Sequence, residues 1–222
     1  MFRAIFAIIL LFGLVLAGCT SISSIGGNVT AEATETQGVD VVGVPTLTVN
    51  HFAGTIRVRR GEDDHITANL TKQSRLPDQA EAEAQLDNVV MAFTQSGTDV
   101  TLNIEGPDTM VESINSPTAD LELLIPAGTT LDLNLGAGEI TLEEPDGDVA
   151  VNLGAGDSTA ILPADASFRL RVSGGAVTID SEFEGVPGGG VATDIDATVG
   201  SSPTQTVTFN LGAGKVTLQK AD

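Results

Sequence analysis

Residues 135–142 read LGAGEITL, a stretch in which a glycine-rich centre is followed by alternating apolar and polar residues. The same pattern returns as LGAGDSTA at residues 153–160, as VSGGAVTI at residues 172–179 and as LGAGKVTL at residues 211–218. The last glycines of the four copies are separated by 18, 19 and 39 residues. Because the last interval is about twice the others, we expect a degenerate copy over residues 191–196. Such a repeat is typical of chains that stack one supersecondary unit.

Each copy has the same arrangement of apolar, polar and glycine residues. Residues 131–135, LDLNL, place three leucines on one face of a strand and Asp132 and Asn134 on the other. The glycines then turn the chain, and Ile140 and Leu142 return to the apolar side. One unit cannot bury its own apolar face, whereas stacked units can, with equivalent strands about 4.7 Å apart. The repeat therefore predicts an all-β solenoid.

Seven glycines are predicted to form the corners of this stack, where backbones crowd and a positive φ is needed. They are Gly136, Gly138, Gly154, Gly156, Gly175, Gly212 and Gly214. Beside the corners, alignment of the copies puts Asn134, Asn152 and Asn210 in one column that Arg171 interrupts. Two arrangements of this column are open: the amides bond along the stack, or each is solvated separately.

The chain upstream of the repeat also alternates between apolar and polar residues. This period of two, typical of half-buried strands, covers residues 46–50, 55–59, 65–71, 99–104 and 120–125. Residues 77–87, PDQAEAEAQLD, are instead strong helix formers with Pro and Asp at their start. They predict one short helix that covers the sheet through Ala80, Ala84 and Leu86. The predicted architecture is one β-solenoid domain of stacked 18–20-residue units over residues 39–222.

The N-terminus predicts export. Arg3 is followed by an uncharged apolar run that ends in LAGC at residues 16–19. The run is shorter than the roughly 20 residues of a spanning helix, so it favours a signal peptide over residues 1–18, with an uncleaved anchor as the alternative. Cys19 is the only cysteine, which excludes a disulfide within the chain. Residues 20–38, rich in Ser, Thr, Gly, Ala and Glu, show no sustained period and predict a flexible tether after the lipidated cysteine.

The LAGC tetrad resembles the lipobox of bacterial lipoproteins at every position. The resemblance implies that Cys19 receives a diacylglyceryl group, becomes the new N-terminus on cleavage and carries two or three acyl chains such as palmitate. At about 0.8 kcal/mol per buried methylene, more than one chain gives stable anchoring. We therefore expect a protein exported from the cytoplasm and held on the cell membrane or the outer membrane through the lipid on Cys19.

A second resemblance concerns the body of the chain. Residues 119–179, with the strand LELLIPAG and the glycine-cornered segments after it, look like the bacterial domain family labelled putative adhesin. Residues 46–71 fit the opening pattern of that family, and the likeness covers roughly residues 45–222. It implies a β-solenoid-like fold of unknown biochemical function. It transfers no catalytic residues.

Charge and composition exclude one class of partner. The chain has 222 residues, with 10 Lys and Arg against 30 Asp and Glu, and a formal net charge of −20. Aromatic residues make up 4%, without Trp or Tyr. Nucleic acid is therefore not expected as a partner, because both the electrostatic attraction and the stacking platforms are missing. The hydrophobic fraction of 41% is high enough for a folded domain.

Catalytic and metal sites find little support in the sequence. Hydrolysis needs a nucleophile, a base and an orienting group, but the chain offers two histidines, His51 and His65, and no Gly-x-Ser-x-Gly segment. His65 follows three acidic residues in what we expect to be a solvated hairpin turn. The acidic runs at residues 143–148 and 194–196 depart from known calcium loops, so they favour solvated turns over specific calcium sites. We expect no enzyme activity, no metal and no cofactor.

These observations favour a lipid-anchored cell-envelope protein that serves as a non-catalytic structural or adhesive surface module. The alternative is a sensory or regulatory envelope domain that binds a small ligand or a protein partner. A polysaccharide lyase or hydrolase is disfavoured, because Tyr and Trp are absent and basic residues are few. The basic cluster of Arg57, Arg59 and Arg60, with Lys72 and Arg75, is expected to balance neighbouring acids across paired strands.

Overall fold

The structure is a computed structural model that describes residues 23–25, 28–107 and 116–221. The predicted signal peptide and Cys19 lie outside the described residues. The strands are β1 (Ser23–Ile25), β2 (Asn28–Asp40), β3 (Thr46–Arg60), β4 (His65–Leu76), β5 (Val90–Ser96), β6 (Asp99–Glu105), β7 (Thr118–Ile125), β8 (Thr130–Glu143), β9 (Val149–Leu162), β10 (Phe168–Ser181), β11 (Gly190–Val199) and β12 (Gln205–Lys220), and the helix is α1 (Gln79–Leu86). The predicted all-β class with one short helix is confirmed.

The repeat copies lie side by side in one mixed sheet. Strands β3, β8, β9, β12 and β10 are adjacent in this order, and all their pairings are parallel and in register. The copies do not lie in chain order, because β12 lies between β9 and β10. The predicted degenerate copy over residues 191–196 is also wrong. It belongs to β11, which runs antiparallel to β10 because PGGG at residues 187–190 reverses the chain.

Each long parallel strand has two arms that contribute to the same core. Leu131, Leu133 and Leu135 are buried before the glycines of β8, and Ile140 and Leu142 are buried after them. The glycine segment therefore changes which alternate residues face inward. We call the part of each long strand before its glycines the first arm and the part after them the second arm.

The two arms take different partners at β3. Its first arm pairs with β6 over residues 46–51, and its second arm pairs with β7 over residues 54–60. Strand β5 extends the first side, while β4, β2 and β1 extend the second. Across residues 23–25, 28–107 and 116–221 the sheet remains open, so the structure does not show the closed coils that the solenoid prediction required.

The predicted tether is shorter than the sequence indicated. Strand β2 begins at Asn28 and pairs with β4 up to Asp40, so the flexible-tether prediction is wrong over residues 28–38, and the sheet begins before residue 39. Ala31 and Val39 are the buried apolar residues of this strand. Small and polar side chains at its other positions hid the period of two, and the edge of β4 supplies the backbone partners that order it.

Helix α1 covers part of the sheet, as expected, but only one of the three predicted residues, Leu86, makes the contact. The Asp78 side chain caps its first turn, which satisfies a backbone N–H that has no partner inside the helix. Ala82 and Leu86 are buried against β2, whereas Ala80 and Ala84 are exposed. The predicted apolar stripe was therefore right at Leu86 and wrong at the two alanines.

One polar side chain interrupts the core of the repeat. Ser158 is fully buried and lies in register with Ile140 on one side and Val216 on the other. Its hydroxyl has no hydrogen-bond partner. A buried hydroxyl in this state costs about 1 to 3 kcal/mol. The second copy of the repeat, residues 153–160, is therefore less stable than it would be with an apolar residue at position 158.

Candidate functional site

The last glycines of the copies form a column across the sheet. The φ angles of Gly138, Gly156 and Gly214 are 139°, 137° and 149°. A Cβ on Gly156 would overlap the carbonyl oxygen of Gly138, and a Cβ on Gly214 would overlap that of Gly156. Gly54 of β3, with a φ of 131°, continues the column towards Ala119. Neither the conformation nor the space admits a side chain at these positions.

A second column holds the first glycine of three of the copies. It consists of Gly136, Gly154 and Gly212 together with Gly175, which is the second glycine of its own copy, and a Cβ on each would meet the carbonyl oxygen of the adjacent strand. The alignment that matched Gly175 with Gly214 is wrong, because Val177 is the residue that pairs with Gly214. Strand β10 is therefore shifted by two residues relative to the alignment.

This shift also decides the asparagine column. Ser173, not Arg171, lies opposite Asn210, so the column is not interrupted. Hydrogen bonds link the side chains in one direction across six strands: Ser173 Oγ to Asn210 Oδ1 (2.7 Å), Asn210 Nδ2 to Asn152 Oδ1 (2.8 Å), Asn152 Nδ2 to Asn134 Oδ1 (2.9 Å), Asn134 Nδ2 to Asn50 Oδ1 (3.1 Å) and Asn50 Nδ2 to Asn103 Oδ1 (2.8 Å). We call these six residues the amide ladder. Of the two arrangements left open, the bonded one is present.

The ladder leaves part of its hydrogen-bonding capacity unused. An amide side chain carries two N–H donors and two acceptor lone pairs, and Asn50 and Asn134 each spend one donor and one lone pair within the ladder. Asn152 spends its second donor on Asp132 Oδ1, at 3.1 Å. Asn103 ends the ladder as an acceptor, and no described residue accepts from its Nδ2. The surface therefore presents both donors and acceptors.

A shallow groove of about 570 Å³ runs along this end of the ladder. Four ladder residues line it, namely Asn50, Asn103, Asn134 and Asn152, together with Phe52 and Glu105. Asn210 lies outside the lining. The half-buried ring of Phe52 rests against Gly106, where any Cβ would overlap the ring. The groove thus has a row of amides, one aromatic ring and one exposed carboxylate.

His51 lies next to Phe52, with its side chain held inside the protein. It is 5% exposed, and its Nε2 lies 2.8 Å from the carbonyl oxygen of Ala119, so Nε2 carries the proton and donates it. Nδ1 is buried without a partner. Burial lowers the pKa of His51, and the opposing effects of the Ala119 carbonyl and of the Asp120 charge are weaker. The imidazole is therefore neutral near pH 7.

His65 occupies a different place. Residues 62–64 form the exposed turn that the sequence predicted, and His65 opens β4 with its Nδ1 2.7 Å from Asp40 Oδ1. His51 instead bonds to Ala119, so the structure assigns the two histidines separate partners. Among the described residues, no group of three or more His, Cys, Asp or Glu side chains is arranged to hold a metal ion.

The outer face of the second arm is ionic rather than amide-lined. Arg59 Nη1 lies 3.0 Å from Glu122 Oε1, and Arg60 Nη1 lies 2.7 Å from Asp146 Oδ2. Arg57 contacts Glu143 at 3.7 Å. The prediction that the basic cluster balances acids across strands is confirmed for these three arginines and for Lys72, whose Nζ lies 2.9 Å from Glu35 Oε2.

The acidic runs bind other parts of the protein. In residues 143–148, Asp146 also accepts from the backbone N–H of Gly128, and Asp148 accepts from that of Thr206, both at 2.7 Å. In residues 194–196, Asp196 accepts from Arg169 Nε at 2.7 Å. The Arg169 guanidinium holds the pKa of the Asp196 carboxyl below its usual range.

The geometry defines a class of protein: an all-β domain of parallel, glycine-cornered strands with an exposed amide ladder. Its fold is similar to that of a Clostridium sporogenes protein described as a putative cell adhesion protein, with a TM-score of 0.55 and 13% identity over 86% of this chain and 100% of that one. This likeness agrees with the predicted resemblance to adhesin-like domains.

Two further structures are described as putative adhesins. The one from Bacteroides fragilis has a TM-score of 0.25 and 10% identity over 83% of this chain and 96% of that one. The one from Parabacteroides distasonis has a TM-score of 0.25 and 8% identity over 85% of this chain and 97% of that one. No family model and no curated protein matches the chain.

In the part of the chain that the structure describes, no helix is long and apolar enough to cross a bilayer. Cys19 lies outside that part, so its lipidation stays a prediction.

Proposed function

We propose that this chain is a lipid-anchored module of the bacterial cell envelope that binds ligands outside the cell without catalysis. The observation that carries the proposal is the groove along the amide ladder. The adhesin-like fold supports a place on the cell surface, and the LAGC tetrad supports an anchor at Cys19.

The ladder suits binding because its side chains are already held in place. Each amide is fixed by its neighbours and by strands that pair in register, so little side-chain entropy remains to be lost when a ligand binds. A few oriented polar groups beside an aromatic ring are typical of ligand sites. Sites built on strands are also positioned more rigidly than sites on loops.

The lining of the groove supports binding without chemistry. Among the described residues it contains no Ser, Thr, Cys or Lys that could act as a nucleophile. Its exposed titratable group is Glu105, while the unprotonated nitrogen of His51 is buried. A single carboxylate lacks the second carboxyl group that glycoside hydrolysis uses, and the base and orienting group that a hydroxyl or thiol nucleophile requires.

The scaffold beneath the groove is proposed to be solenoid-like. The five parallel strands repeat their side chains in columns, and both arms of each strand pack on one core. Such a stack presents the same chemical group at intervals of about 4.7 Å. A repetitive surface of this kind suits a structural or adhesive role better than a compact enzyme pocket.

Anchoring and outward display are tested together in cells that produce the full chain. Cys19→Ser removes the lipid site, and Thr20→Ser is the matched control. We expect wild type and the control in the membrane fraction and the Cys19→Ser protein outside it. Protease treatment of intact cells should release peptides from residues 29–221. Full protection of those peptides until the envelope is broken would overturn the surface role.

Binding is tested by adherence of the same cells to plates coated with mucin or with an extracellular-matrix extract. We expect cells that produce wild type to adhere more than cells without the chain, and soluble full-length protein to compete. Equal adherence of the two strains on both coatings would contradict an adhesive function.

A further inference from the structure

We infer that the groove along the amide ladder binds an uncharged polysaccharide. The inference rests on the proposed function and names the ligand class for the same groove. Three features carry it: the unused hydrogen-bonding capacity of the ladder, the apolar wall at Phe52 and the charge of the lining.

Hydrogen-bonding capacity points to hydroxyl groups. Asn50 and Asn134 each keep one N–H and one lone pair, and Asn103 keeps both N–H groups, so the groove offers both donors and acceptors. A hydroxyl both donates and accepts, and therefore matches either group. Because the strands repeat at about 4.7 Å, the best match is an extended polymer that offers hydroxyls at regular intervals.

The apolar wall suits the face of a sugar ring. Phe52 is half-buried and stays in the groove lining, because Gly106 beneath it leaves room for the ring. Sugar rings carry C–H groups that pack on aromatic faces while their hydroxyls bond to polar neighbours. The lack of Trp and Tyr counted against sugar binding in the sequence, and Phe52 supplies the missing ring.

Charge selects against acidic ligands. Glu105 is exposed in the lining, and none of the Lys or Arg residues of the described chain lines the groove. The whole chain carries a formal charge of −20. An anionic polymer would be repelled on approach and would find no partner for its charges. The groove therefore favours an uncharged polysaccharide over uronates, sialylated chains and nucleic acid.

The test uses the purified full chain in detergent with four soluble polymers. Two are uncharged, a β-glucan and a mannan, and two are acidic, alginate and hyaluronate. Affinity electrophoresis and calorimetry should show binding to at least one uncharged polymer and none to the acidic pair. Phe52→Ala and Asn134→Ala should each weaken that binding by about tenfold or more.

A separate variant tests whether the carboxylate of Glu105 excludes acidic polymers. Glu105→Gln should permit weak binding of the acidic polymers, whereas Glu139→Gln, an exposed change on the second arm, should leave the binding of all four polymers as in wild type. Circular dichroism and the urea midpoint report whether each variant is folded. If Phe52→Ala fails to fold, Asn134→Ala and Glu105→Gln carry the test.

The outcomes separate the ligand class from the proposed function. Binding to neither uncharged polymer, or stronger binding to the acidic ones, overturns the inference. If the cells still adhere in that case, the surface function stands with another ligand. Binding to an uncharged polymer that Phe52→Ala and Asn134→Ala leave unchanged overturns the assignment to this groove.

Discussion

The glycine columns and the amide ladder cross the same parallel strands within a few residues of each other, yet they obey different constraints. At Gly156 neither the φ of 137° nor the neighbouring carbonyl oxygen admits a side chain. At the ladder position the side chain faces solvent, and Ser173 replaces asparagine in β10 without breaking the hydrogen-bonded row. The fold requires the glycines. It does not require the ladder, whose polar side chains lie on the surface of the same strands.

The largest expected effect comes from a side chain in the glycine column. Gly156→Ala places a Cβ on the carbonyl oxygen of Gly138 and strains the backbone, so we expect a loss of about 4 kcal/mol or more in the free energy of unfolding. Gly188→Ala is the matched control, because nothing lies within 4 Å of its added Cβ. Urea denaturation of both variants measures the difference. Equal stabilities of the Gly156→Ala and Gly188→Ala proteins would contradict the claim that the fold requires the glycine column.

Substitutions in the ladder should cost much less. Asn134→Ala and Asn210→Ala each remove one donated and one accepted hydrogen bond at positions that water can reach, and we expect each to lose about 1 to 1.5 kcal/mol. The same urea experiment applies. A loss at Asn134 as large as that at Gly156 would mean that the ladder is part of the required fold.

A substitution on the core side of β9 should instead raise the free energy of unfolding. Ser158→Val removes the unpaired hydroxyl and supplies the apolar group that Ile140 and Val216 provide in the neighbouring strands, so we expect a gain of about 1 kcal/mol. Thr159→Val makes a similar change on the outer face and should be near neutral. A stability loss for Ser158→Val would show that this part of the core has no room for a branched side chain.

The buried side chain of His51, next to the ladder residue Asn50 in β3, should make the stability depend on pH. Its pKa is lowered in the folded protein, so the unfolded chain takes up the proton first as the pH falls below about 6.5. Its contribution is present above that pH and is lost below it, by under about 1 kcal/mol at pH 6.0. His51→Gln keeps a donor for the Ala119 carbonyl without titrating and should flatten the pH dependence of the urea midpoint between pH 7.5 and 6.0. A flat profile for wild type would contradict this explanation.

The sequence was most informative where one constraint repeats. Glycines and leucines at fixed spacing predicted parallel strands with crowded corners, because each copy carries the same pattern. The position of β12 between β9 and β10 could not be predicted, since no copy encodes which other copy it pairs with. The two adjacent glycines of VSGGAV also left the register of β10 ambiguous, which misplaced Gly175 and Arg171.

The groove could not be predicted from the sequence, for a different reason. Asn103 joins the ladder only because β6 pairs with the first arm of β3, and the 53 positions that separate Asn103 from Asn50 contain no repeat that would reveal this. Phe52 is one of eight phenylalanines and carries no local signal of exposure. Strand β2 was missed because its buried residues, Ala31 and Val39, are too sparse to show a period.

The most direct measurement compares cells that display Asn134→Ala with cells that display Asn210→Ala. Both changes break the ladder and should cost similar stability, but Asn134 lines the groove and Asn210 does not. The account predicts that Asn134→Ala loses most of the adherence gained with wild type, while Asn210→Ala keeps it at equal surface levels. Equal adherence of the two variants, whether retained or lost, would contradict the claim that the groove is the contact surface.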